Sequence, residues 1–263
     1  MTLEGIVIQI IPQKERDLIA RLLLREGTVV SVYVFGGMGG GKNSKPRIFE
    51  PGSLLRVEVR EARTGRVGGD GLLTASESSV LWQPAHMRHQ PVAFALTCLY
   101  LELTLKSALP HEGTNPVAAR EHAGLFTVLS NGLFYLDEAA GAKELHWPTH
   151  LALFLSKFLL HLGLVPDENS CVYCGCELAQ EASAPLVIEQ GGFSCSACYR
   201  ESGAPPQAEL PVRAGLSQAL RLKFSEWRKI QQLPRDATHE LLRFWSYHFQ
   251  VQLADVSSYR LLG

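Results

Sequence analysis

Five of the six cysteines in this 263-residue chain lie close together, between positions 171 and 198. Four of them form two CxxC pairs, Cys171 with Cys174 and Cys195 with Cys198. The short spacing within a pair lets both sulfurs converge on one tetrahedral ion, and four sulfurs leave no coordination position for water. The pattern therefore predicts one structural zinc ion, which has no catalytic role.

Two further cysteines stand outside this predicted ligand set. Cys176 offers a fifth sulfur that could replace Cys174, but the CxxC spacing favours Cys174 and leaves Cys176 as a spare thiol. Two disulfides, a redox pair or a metal-free insert are the other states open to the clustered thiols. Cys176 is the one feature of the sequence that points toward an enzyme, and the sequence predicts no enzymatic activity. Cys98 lies on an apolar helical face, which is typical of a core residue.

A glycine-rich loop at residues 36–42, with the sequence GGMGGGK, comes close to a phosphate-binding loop. Asn43 stands where that motif needs a hydroxyl group, and Pro46 would interrupt the helix that the motif must open. We therefore interpret the loop as a contact for the backbone of DNA, although a solvated linker would have a similar composition. The predicted DNA-binding residues are Lys42, Lys45 and Arg47 in the loop and Arg56 and Arg60 on the next strand.

Charges nearly balance over the whole chain but not within its parts. The 25 Lys and Arg residues against 26 Asp and Glu residues exclude a uniformly basic protein. Residues 213–235, by contrast, carry six bases and one acid. This basic segment is predicted to contact an acidic peptide or DNA, and a surface helix without a partner is the alternative. The bases singled out for such contacts are Arg221, Lys223, Arg228 and Lys229.

Short apolar runs separated by turn residues predict β structure in the first 83 residues. Five candidate strands lie at residues 5–11, 17–26, 28–35, 54–60 and 72–81. Residues 54–60 alternate strictly between apolar and charged side chains, which places one face on a core and one in water. Five such strands with long loops fit a small closed barrel of the oligonucleotide-binding (OB) type. A five-stranded meander packed on the rest of the protein is the alternative.

After Pro84 the pattern becomes helical. Apolar residues recur with helical spacing at residues 91–109, 118–136 and 147–164, and further helices are predicted at 214–232 and 239–252. The predicted fold is α+β and multidomain, with an OB barrel at residues 1–83, a helical bundle domain at 84–168 and 204–263, and a zinc-ribbon-like insert at 169–203. Neither a secretory signal nor a membrane span is evident, so the sequence predicts a cytoplasmic protein that does not bind a membrane.

Several segments, taken in order, resemble the RecO family of bacterial recombination mediators. They are EGIVI at residues 4–8, ERDLI at 15–19, PG at 51–52 leading to LRVEVR at 55–60, HLGLVPD at 161–167, CVYCG at 171–175 and LLR at 241–243. The likeness covers nearly the whole chain. The loop at residues 36–47 departs from the family, because it is richer in glycine and poorer in arginine.

The resemblance implies a non-enzymatic protein of DNA repair, with an OB domain, a helical domain and a zinc module. It implies binding to single- and double-stranded DNA, annealing of complementary strands without ATP, and loading of the RecA recombinase onto strands coated by single-strand-binding protein. The partners it implies are RecR, RecF as a further candidate, and the acidic tail of single-strand-binding protein; the implied location is the cytoplasm, at the nucleoid. A zinc-ribbon adaptor that binds only protein partners is the alternative function.

Overall fold

The computed structural model describes residues 1–39, 48–61, 72–108, 116–179, 181, 184–203 and 210–262. Contacts between residues group the chain into two compact units, Met1–Asp137 and Glu138–Gly263. The domain boundaries expected after residues 83, 168 and 203 stay predictions. None of the helices in the described ranges is both long enough and apolar enough to cross a membrane.

Five strands in the first unit form a closed barrel. They are β1 (Thr2–Gln13), β2 (Asp17–Leu24), β3 (Val29–Val34), β4 (Leu54–Glu61) and β5 (Leu73–Trp82). Their order around the barrel is β1-β2-β3-β5-β4, and β4 pairs with β1 to close it. The pairing of β3 with β5 is parallel and the other pairings are antiparallel. The predicted OB-like barrel is therefore confirmed, and a meander is excluded because β3 and β5 are neighbours.

Strand β4 shows how the alternating pattern builds the barrel wall. Leu55, Val57 and Val59 are buried in the barrel core, whereas Arg56 and Arg60 are exposed on the outer surface. A strand with one face on a core and one in water needs this alternation, because successive side chains point to opposite faces. Burial of apolar side chains from β1 to β4, with Leu73 and Ala75 of β5 partly buried against them, then holds the barrel closed.

A tight turn at Gly52 leads into β4 and ties it to β1. The backbone of Gly52 has a φ of 87°, a left-handed conformation that glycine adopts without steric cost. Its N–H donates to the carbonyl of Val7 over 2.8 Å, and the Val7 N–H donates to the carbonyl of Ser53 over 2.9 Å. These two bonds set the point at which β4 begins beside β1.

The first unit also holds α1 (Pro91–Ser107) and most of α2 (Pro116–Ala142). The connection from β5 to α1 is held by Asp137, a carboxylate on α2 that is 8% exposed. It accepts hydrogen bonds from the backbone N–H groups of Ala85, His86 and Met87, over 3.2, 2.7 and 2.8 Å. One buried carboxylate thus satisfies three successive backbone donors in this connection.

The second unit combines helices with a small hairpin. Its elements are α3 (Trp147–His161), β6 (Leu186–Val187), β7 (Gly192–Phe193), α4 (Ser196–Glu201), α5 (Val212–Arg221) and α6 (Arg235–His248). Helix α3 packs against α5 and α6, and its residues Leu151, Phe154 and Phe158 are fully buried. Pro148 lies in the first turn of α3, where its missing N–H leaves no donor unsatisfied.

The single helix predicted at residues 214–232 is wrong. Helix α5 ends at Arg221, and a separate 3₁₀ helix occupies Phe224–Lys229. Between them Leu222 and Lys223 are extended, with ψ values of 150° and 160°. The Glu226 carboxylate accepts a hydrogen bond from the backbone N–H of Lys223 over 3.1 Å. This cap begins a new helical turn, and the turn carries Trp227 into a buried position.

Candidate metal centre and nucleic-acid interface

Both CxxC pairs lie in short turns that the surrounding backbone holds in place. In the first, the N–H of Gly175 donates to the carbonyl of Cys171 over 2.9 Å. In the second, Cys195 caps the N-terminus of α4, and its sulfur accepts a hydrogen bond from the N–H of Cys198 over 3.4 Å. The first turn brings both of its sulfurs into one group of thiols, as a CxxC metal site requires, and the second brings the sulfur of Cys195 into the same group.

A backbone hydrogen bond joins the first cysteine turn to the β6–β7 hairpin. The N–H of Val172 donates to the carbonyl of Phe193 on β7 over 2.9 Å. Gly192, the first residue of β7, has no room for a side chain, because a Cβ there would lie 2.7 Å from the Val172 side chain and 3.0 Å from the Asp167 carbonyl. Glycine at this position thus lets the hairpin approach the first cysteine turn closely.

Four sulfurs lie close enough together to share one ion. The ligand atoms of Cys171, Cys174, Cys176 and Cys195 all lie within 4.8 Å of one another. The sulfurs of Cys174 and Cys195 are 3.9 Å apart. Zinc–sulfur bonds of about 2.3 Å in a tetrahedral site place sulfurs about 3.8 Å from one another. The donor set and this spacing therefore fit a zinc ion, and the cluster could bind a metal.

The structure brings Cys176 into this group, although the CxxC spacing favoured it as a spare thiol. Cys198 is not a member of the group, but it lies beside it, since hydrogen bonds to the sulfurs of Cys174 and Cys195 raise the pKa of Cys198. A hydrogen bond to Cys174 likewise contributes most to raising the pKa of Cys176 to about 12. The ligand set of Cys171, Cys174, Cys195 and Cys198 stays a prediction, with Cys176 as the competing fourth ligand.

Cys171 is the most deeply buried thiol of the cluster. Burial opposes its ionisation, but hydrogen bonds from the backbone of Cys174, Cys195 and Tyr173 outweigh that effect and lower its pKa to about 5. A thiolate is the form that binds metal, so this sulfur is ready for coordination at neutral pH. Cys98, by contrast, is half-buried on α1, and burial raises its pKa. All six cysteines are free thiols in the structure, so the disulfide alternative is not adopted.

Arg213 holds the cysteine-rich segment against α5, a role that its place in a basic run did not reveal. Its guanidinium donates to the backbone carbonyls of Glu181, Glu168 and Ala179, over 2.9, 3.0 and 3.5 Å. One planar side chain thus ties together three points of the segment that carries the first cysteine turn. We call this set of three hydrogen bonds the Arg213 clamp. The sequence does not reveal it, because the groups that accept from Arg213 are backbone carbonyls, which every residue carries.

We expect Arg213→Lys to loosen this segment. A lysine ammonium cannot match the planar fork of donors, and bonds from charged donors contribute about 1.5 to 3 kcal/mol each. Local opening should become about 1 to 3 kcal/mol easier, which hydrogen exchange at the amides of residues 168, 179 and 181 would measure. Arg200→Lys on the exposed face of α4 is the matched control. If these amides exchange at the same rate in Arg213→Lys and Arg200→Lys, the three hydrogen bonds of Arg213 do not hold the segment in place.

A polar groove of about 680 Å³ lies beside this clamp. Its charged lining residues are Glu168, Arg213, Arg221 and Lys229. Two of the four bases predicted to contact an acidic peptide or DNA, Arg221 and Lys229, therefore face one cavity. Lys229 also pairs with Glu226 over 2.6 Å.

The other two predicted bases are not in the lining of this groove. Arg228 forms ion pairs with Glu138 and Glu144, each over 2.8 Å, and its guanidinium lies 4.3 Å from the centre of the Trp227 ring. Lys223 starts the 3₁₀ helix through its backbone. The strong positive charge of residues 213–235 is therefore partly neutralised in the fold by Glu138, Glu144 and Glu226.

On the barrel, the predicted loop residues Lys42, Lys45 and Arg47 lie outside the described residues. Arg56 and Arg60 are exposed on the outer face of β4, as the alternation predicts. Arg56 donates to Glu4 over 3.0 and 2.8 Å, and these bonds do most to lower the pKa of the Glu4 carboxyl group.

Three aromatic residues of the barrel region, Tyr33, Phe35 and Phe49, divide between the core and the surface. Tyr33 and Phe49 are buried. The Tyr33 hydroxyl group donates to the Asp17 carboxylate over 2.7 Å, and this bond raises the pKa of Tyr33. Phe35 is 62% exposed and lies edge-on to Tyr33, with 4.8 Å between the ring centres. Among these three rings, Phe35 alone presents its surface to a ligand.

Comparison with known proteins places this architecture in a family. A family model described as "Recombination protein O C terminal" matches residues 92–258. A protein named DNA repair protein RecO from Anaeromyxobacter sp. (strain Fw109-5) is 29% identical over 261 residues, which cover 97% of this chain and 93% of that protein. A second protein named DNA repair protein RecO, from Myxococcus xanthus (strain DK1622), is 28% identical over 226 residues, which cover 83% of this chain and 82% of that protein. Since the family model matches more than half of the chain, the chain belongs to the RecO family.

Proposed function

We propose that this protein is a recombination mediator in DNA repair, which binds single- and double-stranded DNA and anneals complementary strands without ATP. The observation that carries the proposal is a closed barrel of the OB type in a chain of the RecO family. Barrels of this type commonly bind oligonucleotides. The curated relatives are named DNA repair proteins, which supports the same role here.

Annealing in this proposal is driven by base pairing and not by a chemical reaction. Lys42, Lys45 and Arg47, with Arg56 and Arg60 on β4, neutralise the phosphates of one strand and release its counterions. The bound strand is held extended, and its bases stay open to a complementary strand. Because pairing energy supplies the driving force, the protein needs no nucleotide site.

The proposed partners follow from the same role. The protein would help to load RecA onto strands coated by single-strand-binding protein, together with RecR and, as a further candidate, RecF. The groove that contains Arg221 and Lys229 has the charge to accept the acidic tail of single-strand-binding protein. The site of action would be the nucleoid, in the cytoplasm.

The metal in this proposal is one zinc ion held by Cys171, Cys174, Cys195 and Cys198, with Cys176 in competition for one position. Such an ion supplies a cross-link, since four thiolates close its coordination shell and leave no position for a reacting molecule. The ligands lie in two turns that are separate in the chain, at residues 171–174 and 195–198. The cross-link would therefore stabilise the fold of this segment.

Strand annealing by the purified protein tests the proposal. We expect the protein to anneal complementary strands without ATP. Replacing Lys42, Lys45 and Arg47 together with alanine should reduce the slope of log affinity against log salt by about 2, since each phosphate contact on a single strand contributes about 0.7. Replacing the exposed Lys143 and Arg200, which lie outside the barrel, is the control.

Two results would count against the proposal in different ways. If the triple variant anneals strands like the wild type, the assignment of the loop is wrong. If the wild-type protein shows no salt-dependent binding to labelled single strands, the adaptor that binds only protein partners becomes the better description.

A further inference from the structure

An aromatic pocket of about 210 Å³ opens on the first unit, between the outer face of the barrel and α2. Ile6 on β1 and Leu54 on β4 line it from the barrel side. Trp82, the last residue of β5, and Phe134 on α2 line it with two rings, whose centres are 6.3 Å apart and whose planes are tilted by 46°. Phe134 is 48% exposed, so a flat ligand can reach a ring face.

The same pocket contains hydrogen-bonding groups. Ser130 and Asn131 on α2 are both among its lining residues. The Ser130 hydroxyl group donates within the helix, to the carbonyl of Thr127 over 3.2 Å. Among the hydrogen bonds of the described residues, none involves the side-chain amide of Asn131. That amide carries both donors and an acceptor, so it can pair with the edge of a planar ligand that has ring nitrogen and carbonyl groups.

Positive charge lies next to the pocket, on the same face of the barrel. Arg56 is two residues beyond Leu54 on β4, and alternate residues of a strand share a face, so the two lie about 7 Å apart along it. Glu4, two residues before Ile6, accepts hydrogen bonds from both Arg56 and Arg25. Two guanidinium groups against one carboxylate leave a net charge of +1.

The two guanidinium groups are held in place yet accessible. Their side chains are 53% exposed for Arg56 and 57% exposed for Arg25. In the described part of the chain, Arg25 donates to Glu4 through Nε, which leaves its two Nη groups for a ligand. Arg25 also lies 5.2 Å from the centre of the Phe126 ring. Phe126 and Phe134 lie eight residues, or about 12 Å, apart along α2.

We propose that this surface binds one nucleotide of a DNA single strand. The base lies against the ring of Phe134 or Trp82 with its edge toward the Asn131 amide, and the adjoining phosphate contacts Arg25 and Arg56. The proposal rests on the proposed function and adds a site for a base to it. An apolar side chain of a peptide fits these observations less well, because it would leave the Asn131 amide unpaired and make no use of the two guanidinium groups.

Binding of labelled oligothymidylate tests the site in the full-length protein. We expect Phe134→Ala to weaken binding by about 5- to 150-fold, the range for loss of one stacked base, with an unchanged salt slope. Arg25→Ala with Arg56→Ala should reduce the salt slope by about 0.7, because both guanidinium groups contact one phosphate. Phe94→Ala is the matched control, since Phe94 is also 48% exposed on a helix and is not in the pocket. An oligonucleotide of abasic residues should bind equally to wild type and to Phe134→Ala.

The outcomes separate this site from the general function. If wild type binds the strand and the Phe134 and Arg25/Arg56 variants bind it equally well, the site is overturned and the proposed function stands. If Phe134→Ala weakens binding of a labelled apolar peptide and leaves DNA binding unchanged, the pocket is a peptide site and the inference is wrong. If wild type binds no single strand under any salt condition, the proposed function itself fails.

Discussion

Replacing Cys171 with serine is expected to abolish binding of the proposed zinc ion and to unfold the segment that contains both cysteine turns. Cys171 is 3% exposed, and its sulfur lies within 4.8 Å of the sulfurs of three other cysteines. A serine hydroxyl group is neutral at pH 7 and is a poor ligand for zinc. Structural zinc contributes about 10 to 16 kcal/mol to the folding of small domains, so loss of one ligand should be severe.

Metal content and hydrogen exchange would measure this effect. We expect the wild-type protein to retain about one zinc ion per chain against a competing chelator. The serine variant should lose the ion and exchange amides of the segment rapidly. Cys98→Ser is the matched control, because Cys98 lies on α1 outside the cluster. A serine variant that keeps zinc as tightly as the control does would refute the metal site.

The same assay distinguishes the two candidates for the fourth ligand. The CxxC spacing predicts that Cys198→Ser loses zinc and that Cys176→Ser retains it. The Cys176 sulfur, however, lies within 4.8 Å of three other thiol sulfurs. If Cys176 is the fourth ligand, Cys176→Ser loses zinc and Cys198→Ser retains it. If Cys176→Ser and Cys198→Ser each retain zinc and the variant with both replacements loses it, either the Cys176 or the Cys198 sulfur can be the fourth ligand.

Replacing Asp137 with alanine should lower the free energy of unfolding by about 3 to 4 kcal/mol. Its carboxylate is the acceptor for three backbone N–H groups, and the N–H of Met87 lies in a buried site. Bonds to a charged acceptor contribute about 1.5 to 3 kcal/mol each, are not additive, and leave unsatisfied donors when removed. Asp137→Asn keeps one oxygen acceptor and should lose less stability.

Urea unfolding of both variants would measure this difference. Glu77→Ala is the control, since Glu77 is an exposed acid on β5 in the same unit. Its replacement should change the free energy of unfolding by less than about 0.5 kcal/mol. If Asp137→Ala is no less stable than this control, water or rearranged backbone satisfies the three donors, and the carboxylate does not anchor the connection.

Local patterns were enough to predict most of the elements. Strand β4 was predicted at residues 54–60 and is Leu54–Glu61, because alternating side chains carry the strand signal within the strand itself. The helix predicted at 91–109 is α1, Pro91–Ser107. The split between α5 and the 3₁₀ helix was missed, since burial of Trp227 depends on tertiary packing beyond the helical pattern.

By itself, the sequence determined the type of each barrel strand, the thiol chemistry of residues 171–198 and the resemblance to the RecO family, because these signals lie in residues close together in the chain. Tertiary structure decided that β3 pairs with β5, that Cys176 joins the thiol group and which basic side chains are neutralised. Arg56 meets Glu4 across 52 residues, and Arg228 meets Glu138 across 90. Charge in a folded protein depends on such distant partners, so a basic run in the sequence need not become a basic surface.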